Sequence, residues 1–341
     1  PIMVRSARCH LQYLSREDMV AHREEAGEWG GYFILNGNER LVRMLIMPRR
    51  NHIFGMVRSS FLSRGPEYTK YATSMRCVRK DQSAITVNVH YLETGSVNVR
   101  FVVRKQEFFI PAVLILKGLT GASDREIYEK ITMNDPDNAF ESERTELMLR
   151  EAKQLRLATR NDVLAYIGRH FLGMLRADSH ESDAEVGVRL FKDYLFVHIQ
   201  DFDEKPASQE AQNKAKADIL ILMIQKLFKL VQEQIKPDNI DSLACHECLL
   251  PGHLYLMILK EQLYDSLNVI KTQIMRDASS NKARVIDPNY WRKVFDMCPD
   301  IGQKLRYFLV TGNLISRSGL DLMQVSGYTV VAEKLNYYRY L

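Results

Sequence analysis

Cysteine is scarce. The 341 residues hold five (Cys9, Cys77, Cys245, Cys248 and Cys298), an odd and sparse set that argues against a disulfide framework and fits a reducing compartment. No apolar run approaches the ~20 residues of a membrane span, and no charged-apolar-small leader opens the chain, which argues against membrane insertion and secretion. Internal repeats and low-complexity tracts are absent. The nine histidines are scattered singly; no HExxH, phosphate-cradling glycine loop or nucleophile-and-base constellation accompanies them, so no self-contained catalytic centre is expected. A strong net charge is missing too: the formal value of +5 names no partner by itself. The chain opens Pro1-Ile2-Met3-Val4-Arg5 without an initiator Met and stops at Tyr338-Arg339-Tyr340-Leu341 without a capping residue, as expected of a piece of something larger.

What is present is an uneven charge distribution on a chain long enough for two or three compact units. Between Asn36 and Lys80, ten basic residues (Arg40, Arg43, Arg49, Arg50, Arg58, Arg64, Lys70, Arg76, Arg79, Lys80) face two acidic ones, Glu39 and Glu67. Such a local excess suits a phosphate-facing surface, because each Lys or Arg contact to a phosphate releases a counterion. The alternative is that these residues merely keep half-exposed strands wet. From Gly121 to Arg160 the balance reverses to nine acidic and seven basic, so the two regions should meet different partners.

Tyr32–Leu35 and Leu41–Met47 read as two strands joined at Asn36-Gly37, a dipeptide that reaches positive φ cheaply. Pro48 should end the pairing, leaving Arg49-Arg50-Asn51-His52 as an exposed basic turn. Ile85, Val87, Val89 and Tyr91 alternate with polar residues, as do Val97, Val99, Phe101 and Val103, predicting a hairpin with one buried face. Phe108 to Leu116 predicts a short strand running into a buried helix. Ser123 to Glu126 is a capping box, after which the period is helical through Lys236, with Val163, Ile167 and Phe171 on one face and Ile219, Met223 and Leu227 on another. Asp201 to Glu210 should be a surface loop, and Lys236-Pro237 the end of the most apolar helix. A long helix is expected to carry Leu256, Leu259, Leu263, Leu267, Ile270 and Ile274 on one stripe. Shorter helices should follow from Asp287-Pro288 and from Asp300 to Gly312. Tyr328 could stack on bases but suits a core.

The strand pair Gly30-Gly31-Tyr32-Phe33-Ile34-Leu35-Asn36-Gly37-Asn38-Glu39 closely resembles the second-largest subunit of eukaryotic multisubunit RNA polymerases. Met47-Pro48-Arg49-Arg50-Asn51-His52 and Arg64-Gly65-Pro66-Glu67-Tyr68-Thr69 look like its RNA polymerase I branch. The resemblance covers essentially the whole chain, strongly before Ile131 and after Pro251. It implies an α+β fold in which a mainly helical lobe (123–250) is inserted into a strand-rich protrusion (1–122 and 251–310), with the start of the fork at 311–341. It further implies a non-catalytic wall of the polymerase cleft that positions template DNA and RNA–DNA hybrid during ribosomal RNA synthesis in the nucleolus of the nucleus. Expected partners are the largest subunit, and at the lobe an accessory heterodimer and a small zinc-ribbon subunit. No cofactor is expected in this stretch; magnesium and zinc belong elsewhere in the whole enzyme. Candidate nucleic-acid contacts are Arg49, Arg50, Arg58 and Arg64, together with Arg317, Lys334 and Arg339 in the fork-like tail.

Two other patterns invite chemistry. Cys245-His246-Glu247-Cys248 is half a zinc knuckle, but no second CxxC completes the four ligands, so two reduced cysteines are the simpler reading. Asp201-Phe202-Asp203-Glu204 resembles a carboxylate metal loop, which would make the chain a metal-dependent nuclease or transferase; a solvated acidic loop is the simpler reading. A pure protein-interaction scaffold is the remaining alternative.

Overall fold

The computed structural model describes residues 7, 9–28, 30–133, 138–175, 181–199, 206–279, 288–316, 320–322, 324–333 and 335–336. In chain order the elements are α1 (Arg16–Ala21), β1 (Phe33–Leu35), β2 (Asn38–Val42), β3 (Leu45–Pro48), β4 (Ile53–Val57), β5 (Tyr68–Val78), β6 (Ala84–Leu92), β7 (Val97–Val103) and β8 (Gln106–Pro111). Then come α2 (Ala112–Thr120), α3 (Asp124–Thr132), α4 (Ala139–Gln154), α5 (Arg160–Leu175), α6 (Asp183–Tyr194) and α7 (Pro206–Val231). The chain closes with β9 (His246–Leu249), α8 (Pro251–Ser279), α9 (Pro288–Asp296), α10 (Ile301–Thr311) and β10 (Thr329–Val331). The fold is α+β, as expected. It divides into two compact units, one of residues 1–46, 248–316 and 322–341, the other of 47–247 and 317–321.

In the first unit the opening hairpin gains a third strand from the far end of the chain. β2 pairs with β1 through Phe33↔Arg40 and with β10 through Leu41↔Val330, both antiparallel. Asn36 and Gly37 both take positive φ (51° and 78°), the turn that the dipeptide predicts. The apolar run Leu41–Met47 is not one strand. It breaks after Val42: the Arg43 N–H still donates to the Tyr328 carbonyl at 2.9 Å, in register with β10, and a separate strand begins at Leu45. Tyr328 is fully buried against Phe308, so it fills core. Asp300 caps α10 by accepting from the Gln303 N–H, and Gly312 ends it in the left-handed region. On α8 the buried residues are Leu254, Met257, Ile258, Gln262 and Ser266, while Leu256, Leu263 and Leu267 are exposed. The helix carries two apolar stripes, and periodicity alone cannot say which one packs.

The second unit is a five-stranded antiparallel sheet, β4-β5-β6-β7-β8, with helices on one face. Val87, Val89, Val97, Val99, Phe101 and Val103 point into a core shared with α2, α5, α6 and α7, where Ile167, Phe171, Met223 and Leu227 are buried as their spacing predicts. Ser123 and Glu126 form the predicted capping box. Helix α7 starts at Pro206, inside the expected loop, because Pro suits a first helical turn where no N–H is needed. It ends at Val231 rather than at Lys236, the turn being made by Glu233 at positive φ. The edge of β4 is closed by side chains. Asp238 accepts from the Gly55 N–H at 2.6 Å and Lys226 donates to the Ile53 carbonyl at 2.8 Å, while the two ion-pair at 2.6 Å, which blocks edge-to-edge pairing.

Lys216 is the conspicuous cost of this core. It is 3 % exposed, and its Nζ donates to the Phe191 carbonyl at 2.7 Å. Burial, then the charge of Arg79, pushes its pKa down to about 8 from an ordinary 10.5. Below pH 8 the folded chain therefore carries the full penalty of a buried ammonium, and stability should rise between pH 8 and 10.5 as the folded state alone sheds the proton. Lys216→Met is expected to stabilise the chain at pH 7 by about 2 kcal/mol and to flatten that rise, read by urea melts across pH.

Candidate nucleic-acid interface

The sheet's second face carries the site. Antiparallel register places Ser74 beside Asn88 and Asn88 beside Arg100, and Ala72 beside His90, which itself lies beside Asn98. The hairpin was expected to bury one face only. Here the polar face is covered as well, since Phe61 of the 3-10 turn Ser59–Arg64 lies edge-on to His90 (4.9 Å) and Asp321 accepts from the Thr86 hydroxyl at 2.8 Å. His90 is fully buried; burial first, then Arg64 and Arg100, pushes its pKa down to about 3, so it stays neutral and accepts or donates only as imidazole.

Arginines and carboxylates alternate across this face. Glu247 accepts from Arg50 Nε at 2.9 Å and from Arg76 Nη1 at 2.7 Å. Arg76, with 7 % of its side chain exposed, also lies 3.9 Å from Asp321. Farther along, Glu107 bridges Arg100 Nη2 (2.6 Å) and Arg64 Nε (3.4 Å). Burial raises the carboxyls of Glu247 and Glu107, but hydrogen bonds and charge from these arginines outweigh it and hold both below the usual carboxylate range. Asp321 is the exception: burial wins and its carboxyl is raised, against the Thr86 hydrogen bond and the Arg76 charge.

The four arginines expected around β4 therefore fall into two classes. Arg50 and Arg64 are ion-paired, Arg64 also lying over the Phe61 ring at 4.9 Å and within 3.3 Å of His90 Nε2. Arg49 and Arg58 are exposed, at opposite ends of β4, and among the described residues neither guanidinium has an ion-pair partner. Their backbones are fixed: Arg49 N–H donates to the Cys245 carbonyl (2.8 Å) and Arg58 N–H to the Lys70 carbonyl (2.8 Å). Lys70 is exposed beside Arg58. Of the same basic run, Arg40 and Arg43 belong to the other compact unit.

Arg317, Lys334 and Arg339, like Asp201 and Asp203, lie outside the described residues. Cys245 packs against Phe54, Met56 and Phe61, and Cys248 is exposed on β9. Among the described residues no cluster of three or more His, Cys, Asp or Glu could hold a metal, and no helix is long and apolar enough to cross a membrane. The sequence marks Arg76 only as one of the basic run and gives Glu247, Arg100, Glu107 and Asp321 no role of their own. Only Arg100 has a local signal, the polar half of the β7 alternation; Arg76, Glu107, Glu247 and Asp321 lie on other segments.

Comparison with known proteins identifies the kind of chain that carries this face. A family model described as RNA polymerase beta subunit matches residues 1–294. Over its full length the chain is 47 % identical to the probable DNA-directed RNA polymerase I subunit RPA2 of Schizosaccharomyces pombe, 46 % to RPA2 of Eremothecium gossypii and 39 % to RPA2 of Homo sapiens. It spans 28 % of the first two of these relatives and 29 % of the human one. A match across most of the chain, with every residue also aligned to polymerase I relatives, shows that it belongs to the RNA polymerase beta-subunit family.

Proposed function

We propose that this chain is part of the second-largest subunit of RNA polymerase I and forms a wall of the nucleic-acid cleft, positioning template DNA and RNA–DNA hybrid during ribosomal RNA synthesis in the nucleolus. The observation that carries the reading is the pair Arg49 and Arg58, exposed and, among the described residues, without an ion-pair partner at the two ends of a strand whose neighbouring arginines Arg50 and Arg64 are ion-paired. Such contacts hold a phosphate backbone without reading sequence. Catalysis, with its magnesium, belongs to the rest of the polymerase, and the chain alone should not polymerise. The largest subunit is the main partner. The acidic-leaning helices after Ser123 suit docking of accessory subunits, the heterodimer and the zinc-ribbon protein, a reading that rests on family resemblance.

Binding of a labelled RNA–DNA hybrid and of duplex DNA at two salt concentrations tests this. For Arg49→Ala/Arg58→Ala the log–log salt slope is expected to fall by about 1.8, the value for two lost phosphate contacts. An unchanged slope, or no binding by the parent chain at low salt, would leave a protein-docking scaffold as the better account.

A further inference from the structure

Arg64 and Arg100 converge on one carboxylate. Glu107 sits on β8, an edge strand of the sheet, with 42 % of its side chain exposed, whereas those of Arg64 and Arg100 are only 18 % and 14 % exposed. The guanidiniums are held from behind: Arg64 by the Phe61 ring and neutral His90, Arg100 by its place on β7 between Asn88 and Phe109. Arg100 Nε is buried with no hydrogen-bond partner, and so is His90 Nδ1. Two held cations bridged by one exposed carboxylate form a two-pronged anion seat already filled by the chain itself.

The hairpin that presents Glu107 is built against the backbone's preference. Arg104 and Lys105 occupy the two central positions of the β7–β8 turn at φ 50° and 69°, a geometry that Asn-Gly adopts cheaply and other residues do not. Both are exposed. Strain at the exposed tip next to Glu107 in sequence is the pattern of a functional segment.

We propose that the Arg64–Arg100 pair is a seat for a backbone phosphate of nucleic acid, and that Glu107 is its resident placeholder, displaced when the polyanion docks. The exchange is one anion for another, with no bond made or broken. A phosphodiester can accept from both guanidiniums in place of the Glu107 carboxylate. Glu107 then raises the threshold for binding, so that an isolated phosphate competes poorly and a long strand, anchored also at Arg49 and Arg58, competes well. This rests on the nucleic-acid reading above and adds to it a site with its own control element.

The test is the affinity of Glu107→Gln for short labelled duplex DNA, with inorganic phosphate as competitor. Expected is about fivefold tighter binding, the ratio for ~1 kcal/mol of removed competition, with a salt slope steeper by up to about 0.9 as the seat fills more completely. Glu107→Gln/Arg100→Gln should abolish the gain. Persistence of the gain in that double variant would mean that general charge, not the seat, caused it, and would overturn the proposal. So would unchanged affinity in a folded Glu107→Gln. Should that variant fail to fold, Glu107→Asp, which draws the carboxylate back from both arginines, is expected to shift affinity in the same direction by less; no shift overturns the proposal. Loss of binding in Arg49→Ala/Arg58→Ala with no effect at Glu107 sinks this inference alone. Absence of binding by every variant sinks both readings.

Discussion

Gly168→Ala is expected to destabilise the helical part of the second unit by about 3 kcal/mol, the upper end of what overpacking costs. Helices α5 and α6 meet backbone to backbone. A methyl on Gly168 would collide with the Asp183 carbonyl oxygen, and one on Gly187 with the Leu164 carbonyl oxygen. Backbone atoms cannot swing aside as a side chain can, so the pair must separate, exposing Leu164, Ile167 and Val186, which are buried in the seam's core. In a unit of this size the melting temperature should fall by about 10 °C. Gly173→Ala, on the same helix α5 with nothing within 4 Å of the new methyl, should instead gain about 1 kcal/mol from helix propensity. Equal melting of Gly168→Ala and the parent would mean that the two helices are not in backbone contact.

Glu247→Ala is the second large effect, again about 3 kcal/mol, because it strands Arg76 as a buried charge with one of its two carboxylate neighbours gone. Arg50 loses its partner in the same step. The pH dependence has a definite sign. The Glu247 carboxyl is held below its ordinary 4.5 in the folded chain, so its contribution is complete above that value and is lost as pH falls through the lower folded pKa. Urea melts from pH 7 downward should therefore separate the parent from Glu247→Ala most at pH 7 and narrow the gap as pH falls below 4.5. Glu247→Gln, which keeps a hydrogen-bond acceptor, should fall between them at pH 7.

Local chemistry made much of the fold readable. The Asn36-Gly37 turn, the Ser123 capping box, the β6–β7 hairpin and the Asp300 to Gly312 helix depend on neighbours within a few residues, and each forms as its sequence dictates. What could not be read was long-range. β10 joins β2 from the other end of the chain, and Glu247 reaches Arg50 across 197 positions. A basic run likewise reports charge but not pairing, so Arg49 and Arg50 look equivalent until Glu247 is placed. The α8 stripe shows the same limit, since a 3.6-residue period marks an apolar face without saying what covers it.

That distinction between adjacent arginines is the claim on which the interface stands, and the salt slope of RNA–DNA hybrid binding for Arg49→Ala and Arg50→Ala, each paired with its melting curve, tests it most directly. Arg49→Ala should lower the slope by about 0.9 and leave the melting temperature alone, as an exposed phosphate contact would. Arg50→Ala should lower the melting temperature and keep the parent slope. The reverse pattern, with Arg50 carrying the salt dependence and Arg49 the stability, would contradict the assignment of the free cations and the paired ones.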